Sequence, residues 1–125
     1  MHPTPTTPAG RRAELGARGE QIAVDHLTAA GLTVLDRNWR SGRGELDVVA
    51  REHDVLVFCE VKTRSGTGYG TPLQAVTPSK QARLRQLAGR WLAAHDEHAA
   101  RLRFDVVGVL VVAGHTTVQH LRGAF

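Results

Sequence analysis

The feature that most constrains the fold is an apolar run that ends in charged residues, VLVFCEVKTR at residues 55–64. From Val55 to Cys59 every position is apolar, which predicts a central strand covered on both faces. Glu60 and Lys62 follow on one face, because side chains alternate along a strand. Charges at the end of a buried strand are partly desolvated, so they need a charged partner or a bound ion.

The other segments predict an α-β-β-β-α-β order with one further short strand. Apolar residues at helical spacing predict a first helix from Arg12 to Ala30, and Gly31 provides its stop. Thr77 and Pro78 begin the second helix as N-cap and first helical residue. We expect strands at 32–40, 45–51, 55–64, 101–112 and 116–121, with a turn at 41–44. This order predicts an α/β fold with a mixed central sheet flanked by helices.

Length and composition restrict the class of protein. We predict a single domain at residues 12–125, preceded by a disordered leader rich in Pro and Thr at residues 1–11. Without an apolar run of membrane-spanning length or a secretory signal, we expect a cytoplasmic protein with no membrane partner. The single cysteine, Cys59, excludes an internal disulfide. The net charge of +4 favours a polyanionic partner such as nucleic acid.

Acidic side chains of the second and third strands are predicted to meet at one edge of the sheet. Glu45 and Asp47 share a face of the second strand. Glu20 lies on the apolar stripe of the first helix, so it should point toward the sheet. Carboxylates this close repel one another unless a cation lies between them, and Mg²⁺ prefers such hard oxygen ligands. The pattern therefore predicts a magnesium site at Asp47 and Glu60, with Lys62 beside it to stabilise a charged transition state.

Several of these residues also have a simpler interpretation. Glu60 and Lys62 alone form a common pattern that usually marks an ion pair at a solvent-facing strand end. It is their combination with the GELD segment of the preceding strand that favours an active site. Glu45 either supports Asp47 as a further acid or pairs with Arg43 or Arg64. Two other features are predicted to be structural, namely a core position for Trp39 and an ion pair between Arg103 and Asp105.

Contacts with nucleic acid are predicted from cations near the strand ends and near the second helix. A lysine at a helix N-terminus favours phosphate binding, which applies to Lys80. Arginine matches phosphate oxygens with its planar fork of donors. The predicted set is Lys80, Gln74, Arg37, Arg40 and Arg64.

Five stretches of the chain carry a family resemblance. They are GARGEQIAVDHLTAAGLTVLDRNWR, GRGELDVVARE, LVFCEVKTRS, QAVTPSKQARL and RFDVVGV, and they span residues 15–110. Together they resemble the PD-(D/E)xK nuclease superfamily, whose restriction-endonuclease-like core has the order α-β-β-β-α-β. More closely, the chain looks like the YraN-like family of small bacterial proteins, which is related to archaeal-type Holliday-junction resolvases. The superfamily's proline before the first acid is absent here.

The resemblance implies a metal-dependent endonuclease that hydrolyses phosphodiester bonds of DNA, with branched or junction DNA as a candidate substrate. It implies metal ligation by Asp47, by Glu60 and by the main-chain carbonyl of Val61, with Lys62 as the catalytic lysine. Glu20 would be a further acidic ligand or a residue that positions water. The expected cofactor is Mg²⁺, for which Mn²⁺ can substitute, and a homodimer is expected by analogy with resolvases. The alternative is a non-catalytic nucleic-acid-binding module that retains the nuclease fold, against which the intact acids and lysine argue.

Overall fold

The computed structural model describes residues 7–66 and 70–125 as a five-stranded sheet with a helix on each face. Its elements are α1 (Pro8–Ala29), β1 (Thr33–Ser41), β2 (Gly44–Glu52), β3 (Val55–Ser65), a 3-10 turn (Leu73–Ala75), α2 (Pro78–His95), β4 (Arg101–Val112) and β5 (His115–Leu121). The strands lie in the order β1-β2-β3-β4-β5, with β3 and β4 parallel and all other neighbours antiparallel. The predicted α/β class and mixed sheet are confirmed, and the order is consistent with a restriction-endonuclease-like core.

The central strand β3 contributes side chains to two hydrophobic cores. Leu56 and Phe58 pack on the side of α2, whereas Val57 and Cys59 pack on the side of α1. Each such burial contributes about 1.5–3 kcal/mol for a large apolar side chain. This explains why the sequence is apolar at consecutive positions here, as predicted. Trp39, which was expected in the core, is partly buried against the α2-side core.

The first helix begins earlier than the sequence pattern indicated. Its N-cap is Thr7, whose hydroxyl accepts a hydrogen bond of 3.0 Å from the main chain three residues on, and Pro8 follows at the first helical position. The predicted start at Arg12 is therefore four residues late, and residues 8–11 of the expected leader form the first turn of α1. The remainder of that leader, residues 1–6, lies outside the described residues.

The second helix begins as predicted. The Thr77 hydroxyl accepts a hydrogen bond of 3.2 Å from the main-chain NH of Lys80, and Pro78 is the first helical residue. The loop before it contains the short 3-10 turn, which the sequence did not predict, and residues 67–69 of that loop lie outside the described residues. Among the described residues, no helix has the length and apolar character needed to cross a membrane.

Candidate active site

The site is centred where β2 and β3 separate. Their pairing runs from the loop between them as far as Val48 and Cys59. Beyond that point the Asp47 carboxylate accepts a hydrogen bond of 2.9 Å from the main-chain NH of Val61. The carboxylate takes the place of the main-chain carbonyl that accepts from such an NH in a regular sheet. Leu46 and Val49 are three positions apart, so strict alternation would place them on opposite faces, yet both pack on the α2 side. The strict alternation of faces predicted along β2 is therefore interrupted at Asp47, which lies in the gap between the two strands.

Three carboxylates converge at this gap. Glu20 of α1, Glu45 and Asp47 each offer an oxygen that lies within 4.8 Å of the other two. Burial, followed by the charge of Glu60, raises the pKa of Asp47 to about 7. Burial also raises the pKa of Glu20, despite a hydrogen bond with Asn38 that acts in the opposite direction. We call Glu20, Glu45 and Asp47 the acid cluster. Its oxygens and its unfavourable charge fit a divalent cation.

Glu60 lies next to the acid cluster and is held by two lysines. It is 6% exposed. Lys80 of α2 places its Nζ 2.6 Å from a Glu60 carboxylate oxygen, and the Nζ of Lys62 lies 3.8 Å from the same oxygen. The structure thus brings together the predicted residues Glu60 and Lys62 and adds Lys80 to them. In this arrangement Glu60 is paired with cations, while its charge still acts on Asp47.

The two lysines are not equivalent. Burial and then the neighbouring Lys80 lower the pKa of Lys62. Burial also acts against the charged form of Lys80, but its hydrogen bonds with Glu60 and Lys62 outweigh that effect and raise its pKa. Lys80 therefore holds its proton more firmly and acts as the fixed counter-charge of Glu60. Lys62 gives up its proton more readily than an ordinary lysine.

Two glycines allow the elements around the site to approach one another. Gly19 of α1 is buried, and a Cβ at this position would collide with the side chain of Thr63 on β3. The close approach of α1 to β3 brings the next residue, Glu20, to the acid cluster. At Gly44 a Cβ would lie 2.7 Å from a methyl group of Leu87 on α2. Neither role was predicted, because a close approach between elements leaves no local sequence pattern.

Two clefts lined by positively charged side chains border the acid cluster. The first, of about 350 Å³, lies between α1 and the end of β3, and we call it the α1-side cleft. The second, of about 230 Å³, lies between the start of β2 and α2, and we call it the α2-side cleft. The polar lining of the α1-side cleft includes Arg12, Glu20, Lys62 and Arg64. That of the α2-side cleft includes Arg43, Glu45, Asp47, Glu60, Lys80 and Arg83.

The residues predicted to bind nucleic acid fall into two groups. Lys80 and Arg64 line the clefts. Lys80 is at the same time paired with Glu60, and the other three also make contacts within the protein. Arg37 donates a 3.0 Å hydrogen bond to Gln21, Arg40 forms a 3.1 Å ion pair with Glu45, and the Gln74 side chain accepts a 2.7 Å hydrogen bond from the main chain of Thr71. The structure thus pairs Glu45 with Arg40, an arginine that the sequence analysis did not consider as its partner.

Three residues at this site, Asn38, Arg83 and Arg12, had no role predicted from the sequence. Asn38 has a left-handed backbone with φ of 51°, and hydrogen bonding by its side chain acts to lower the pKa of Glu20. Asparagine tolerates that conformation better than most residues, which is the available signal. Arg83 follows Lys80 by three positions, so it shares a helix face with it. Arg12 carried no such signal in the sequence, and Arg43 was considered only as a partner of Glu45.

Asp105 belongs to a separate, structural network. It is fully buried, and it accepts hydrogen bonds of 2.9 Å from Arg103, 2.8 Å from His120 and 2.9 Å from the main chain of Gly123. Burial raises its pKa, but these hydrogen bonds outweigh burial and leave the pKa below its usual value. The predicted ion pair with Arg103 is confirmed. The network ties β4 to β5 and to the C-terminal segment.

Fold and site together define an α/β protein with a restriction-endonuclease-like core, in which carboxylates and lysines converge where the central strands separate. The chain belongs to the family described as "Uncharacterised protein family UPF0102", whose profile matches residues 19–109. Membership of the YraN-like family, predicted from the sequence, is thereby confirmed.

Curated relatives named UPF0102 protein match over nearly their whole length. The relative from Kineococcus radiotolerans is 59% identical over 111 residues, covering 87% of this chain and 91% of its own. That from Mycolicibacterium smegmatis is 58% identical over 115 residues, covering 90% and 93%. That from Rhodococcus opacus is 54% identical over 112 residues, covering 89% and 95%.

Proposed function

We propose that this protein is a magnesium-dependent nuclease that hydrolyses phosphodiester bonds of DNA. The observation that carries the proposal is the acid cluster beside Glu60, with Lys62 and Lys80 within ion-pair distance of that carboxylate. A purely structural role would not require three carboxylates to converge where their repulsion is unfavourable. The resemblance to the PD-(D/E)xK nuclease superfamily supports the same chemistry.

The donor set fits a hard divalent cation. Glu20, Glu45 and Asp47 supply oxygens only, which favours Mg²⁺ or Mn²⁺ over softer metals. Glu60 and the main-chain carbonyl of Val61 are the further candidates that the family resemblance implies. When bound, the cation would offset the charge of the carboxylates, polarise the phosphodiester and make an attacking water more acidic.

The protein's own residues would divide the remaining work. Lys80 pairs with Glu60 and would hold its carboxylate in a fixed position. Lys62, which lines the α1-side cleft, would donate a hydrogen bond to the phosphate as negative charge develops there. Arginines of the two clefts, among them Arg12 and Arg83, would hold the flanking phosphates and set the position of the strand.

The test is cleavage of end-labelled DNA of several shapes, namely a four-way junction, a flap, a duplex and a single strand. Each is incubated with Mg²⁺, Mn²⁺ or EDTA, using the wild type, Glu60→Ala and the matched control Glu14→Ala, which changes an exposed glutamate of α1. We expect cleavage that requires metal, disappears in Glu60→Ala and persists in Glu14→Ala. Circular dichroism verifies that each variant is folded.

One outcome would overturn the proposal. If every DNA shape is bound but none is cut, and binding by Glu60→Ala equals that of the wild type, the protein is a non-catalytic nucleic-acid-binding module. The preferred substrate among the four shapes is given by the same gel, because each shape exposes a different arrangement of paired and unpaired strands.

A further inference from the structure

A third cavity, of about 360 Å³, adjoins the candidate active site. It shares Lys62 and Arg64 with the α1-side cleft, and we call it the sheet-end pocket. Its floor is made by rows of residues that run across three neighbouring strands. Lys62 of β3 lies beside Gly108 of β4, which lies beside Gln119 of β5. In the parallel row, Leu110 separates Arg64 from Thr117.

The loop before α2 closes one side of the pocket at Gly108, which has no side chain. A Cβ at this position would collide with the ring of Pro72, so the loop before α2 packs directly over the sheet here. Gly70 and Ala75 also line the pocket opposite the sheet. The resulting space lies between a loop and the face of a sheet. The positively charged side chains of Lys62 and Arg64 lie on its β3 side, and the polar side chains of Thr117 and Gln119 lie on its β5 side.

We infer that the sheet-end pocket receives an unpaired nucleotide of the DNA strand, an inference that rests on the proposed function. The phosphate would lie against Lys62 and Arg64, where positive charge is provided. The base would lie between loop and sheet, where small and apolar residues leave room for a planar ring. Thr117 and Gln119 offer the donors and acceptors that the edge of a base requires. A volume of about 360 Å³ lies within the range of small-ligand sites.

This assignment defines a substrate class. A base paired and stacked within a duplex cannot enter a pocket, whereas an unpaired base enters without the cost of unstacking. Because Lys62 belongs both to this pocket and to the candidate active site, the unpaired nucleotide would adjoin the scissile phosphate. The preferred substrates would be flaps and single strands rather than continuous duplex.

The test measures binding without cleavage, so its result does not depend on the nuclease proposal. Fluorescence anisotropy in EDTA compares an eight-nucleotide oligothymidine with an abasic strand that has the same number of phosphates. Ala75→Leu and Thr117→Leu, singly and together, fill the pocket with side chains that cannot stack on a base. Thr116→Leu is the matched control, since it changes the neighbouring exposed position of β5, which points to the other face of the sheet.

We expect the wild type and Thr116→Leu to bind oligothymidine about tenfold more tightly than the abasic strand, because an abasic strand has no base to hydrogen-bond in the pocket. The double variant should bind both strands equally, and each single variant should lose part of the preference. The inference is overturned if the wild type has no preference, or if the folded pocket variants keep all of it. Cleavage by the wild type with no such preference would overturn this inference alone. A pocket-dependent preference without cleavage would overturn only the nuclease proposal.

Discussion

The carboxylate of Asp47 accepts a 2.9 Å hydrogen bond from the main-chain NH of Val61, at the point where β2 and β3 part. This contact connects the fold to the site, because one oxygen satisfies a strand NH while the carboxylate faces other acids. Hydrogen bonding of this kind favours the ionised form, but burial and Glu60 dominate and raise its pKa to about 7. The structural and electrostatic roles of Asp47 can therefore be separated by a substitution that keeps the acceptor and removes the charge.

Asp47→Asn should stabilise the metal-free protein and abolish its response to metal. The amide oxygen still accepts from Val61, while the unfavourable negative charge disappears, so we expect a gain on the order of 2 kcal/mol. Thermal unfolding with and without MgCl₂ measures both effects. The control Asp54→Asn, at an exposed turn, should retain the response of the wild type. Metal stabilisation that persists in Asp47→Asn would contradict the assigned site.

Gly19→Ala should destabilise the protein and weaken metal binding. The added methyl group meets Thr63, so α1 must move away from β3 and carry Glu20 with it. Overpacking of this kind costs about 1–3 kcal/mol. Gly16→Ala, three residues earlier on the same helix, meets no atom within 4 Å and should be neutral or stabilising. Urea unfolding measures the stability of the two variants, and Mn²⁺ titration measures their metal affinity. If both quantities were equal in the two variants, the close approach at Gly19 would have no role.

Glu60 and Lys80 should be strongly coupled in a double-mutant cycle. Glu60→Gln, Lys80→Met and the double variant should give a coupling free energy of about 1–3 kcal/mol, because removing the lysine leaves a buried carboxylate poorly compensated. The matched comparison is Arg40 with Glu45, where the arginine is 79% exposed. That pair should couple by less than about 1 kcal/mol. Equal couplings from urea unfolding would show that the burial of Glu60 has no energetic consequence.

The protein should lose stability in acid, and protonation of Glu52 should account for part of this loss. Hydrogen bonds from Arg103 and then from Arg122 lower its pKa from 4.5 to about 2. The folded state therefore binds this proton less readily than the unfolded state. Its contribution is complete above about pH 4.5 and is lost as the pH falls toward 2.

Glu52→Gln should accordingly be less stable at pH 7 and lose less stability between pH 4.5 and pH 2 than the wild type. Urea unfolding at a series of pH values checks this, with the exposed Glu14→Gln as a control that should follow the wild-type curve. Parallel curves for Glu52→Gln and the wild type over that interval would contradict the assignment.

Much of the fold was predictable because its signals are local. The apolar run at 55–59 predicted a central strand, and Thr77 with Pro78 predicted the start of α2. The same pattern, a threonine N-cap followed by a proline, occurs at Thr7 and Pro8, but these residues lie in a segment whose composition resembles a disordered leader. Composition was therefore the wrong guide to the start of α1.

The site was predictable only in part, because several of its contacts depend on packing. Strand alternation brought Glu60 and Lys62 together correctly. It could not predict the interruption at Asp47, which arises where two strands separate. Nor could it pair Glu60 with Lys80, since that contact requires α2 to be docked on β3. The roles of these residues in metal binding and catalysis stay predictions.

The most direct test of the central claim is the single-turnover rate at which an end-labelled flap DNA is cut in Mg²⁺ by the wild type, Asp47→Asn and Asp54→Asn. The expected result is a rate that vanishes in EDTA, falls at least about 100-fold in Asp47→Asn and is unchanged in Asp54→Asn, because Asp47 belongs to the acid cluster and Asp54 does not. A cleavage rate in Asp47→Asn equal to that of the wild type, or one that survives EDTA, would contradict it.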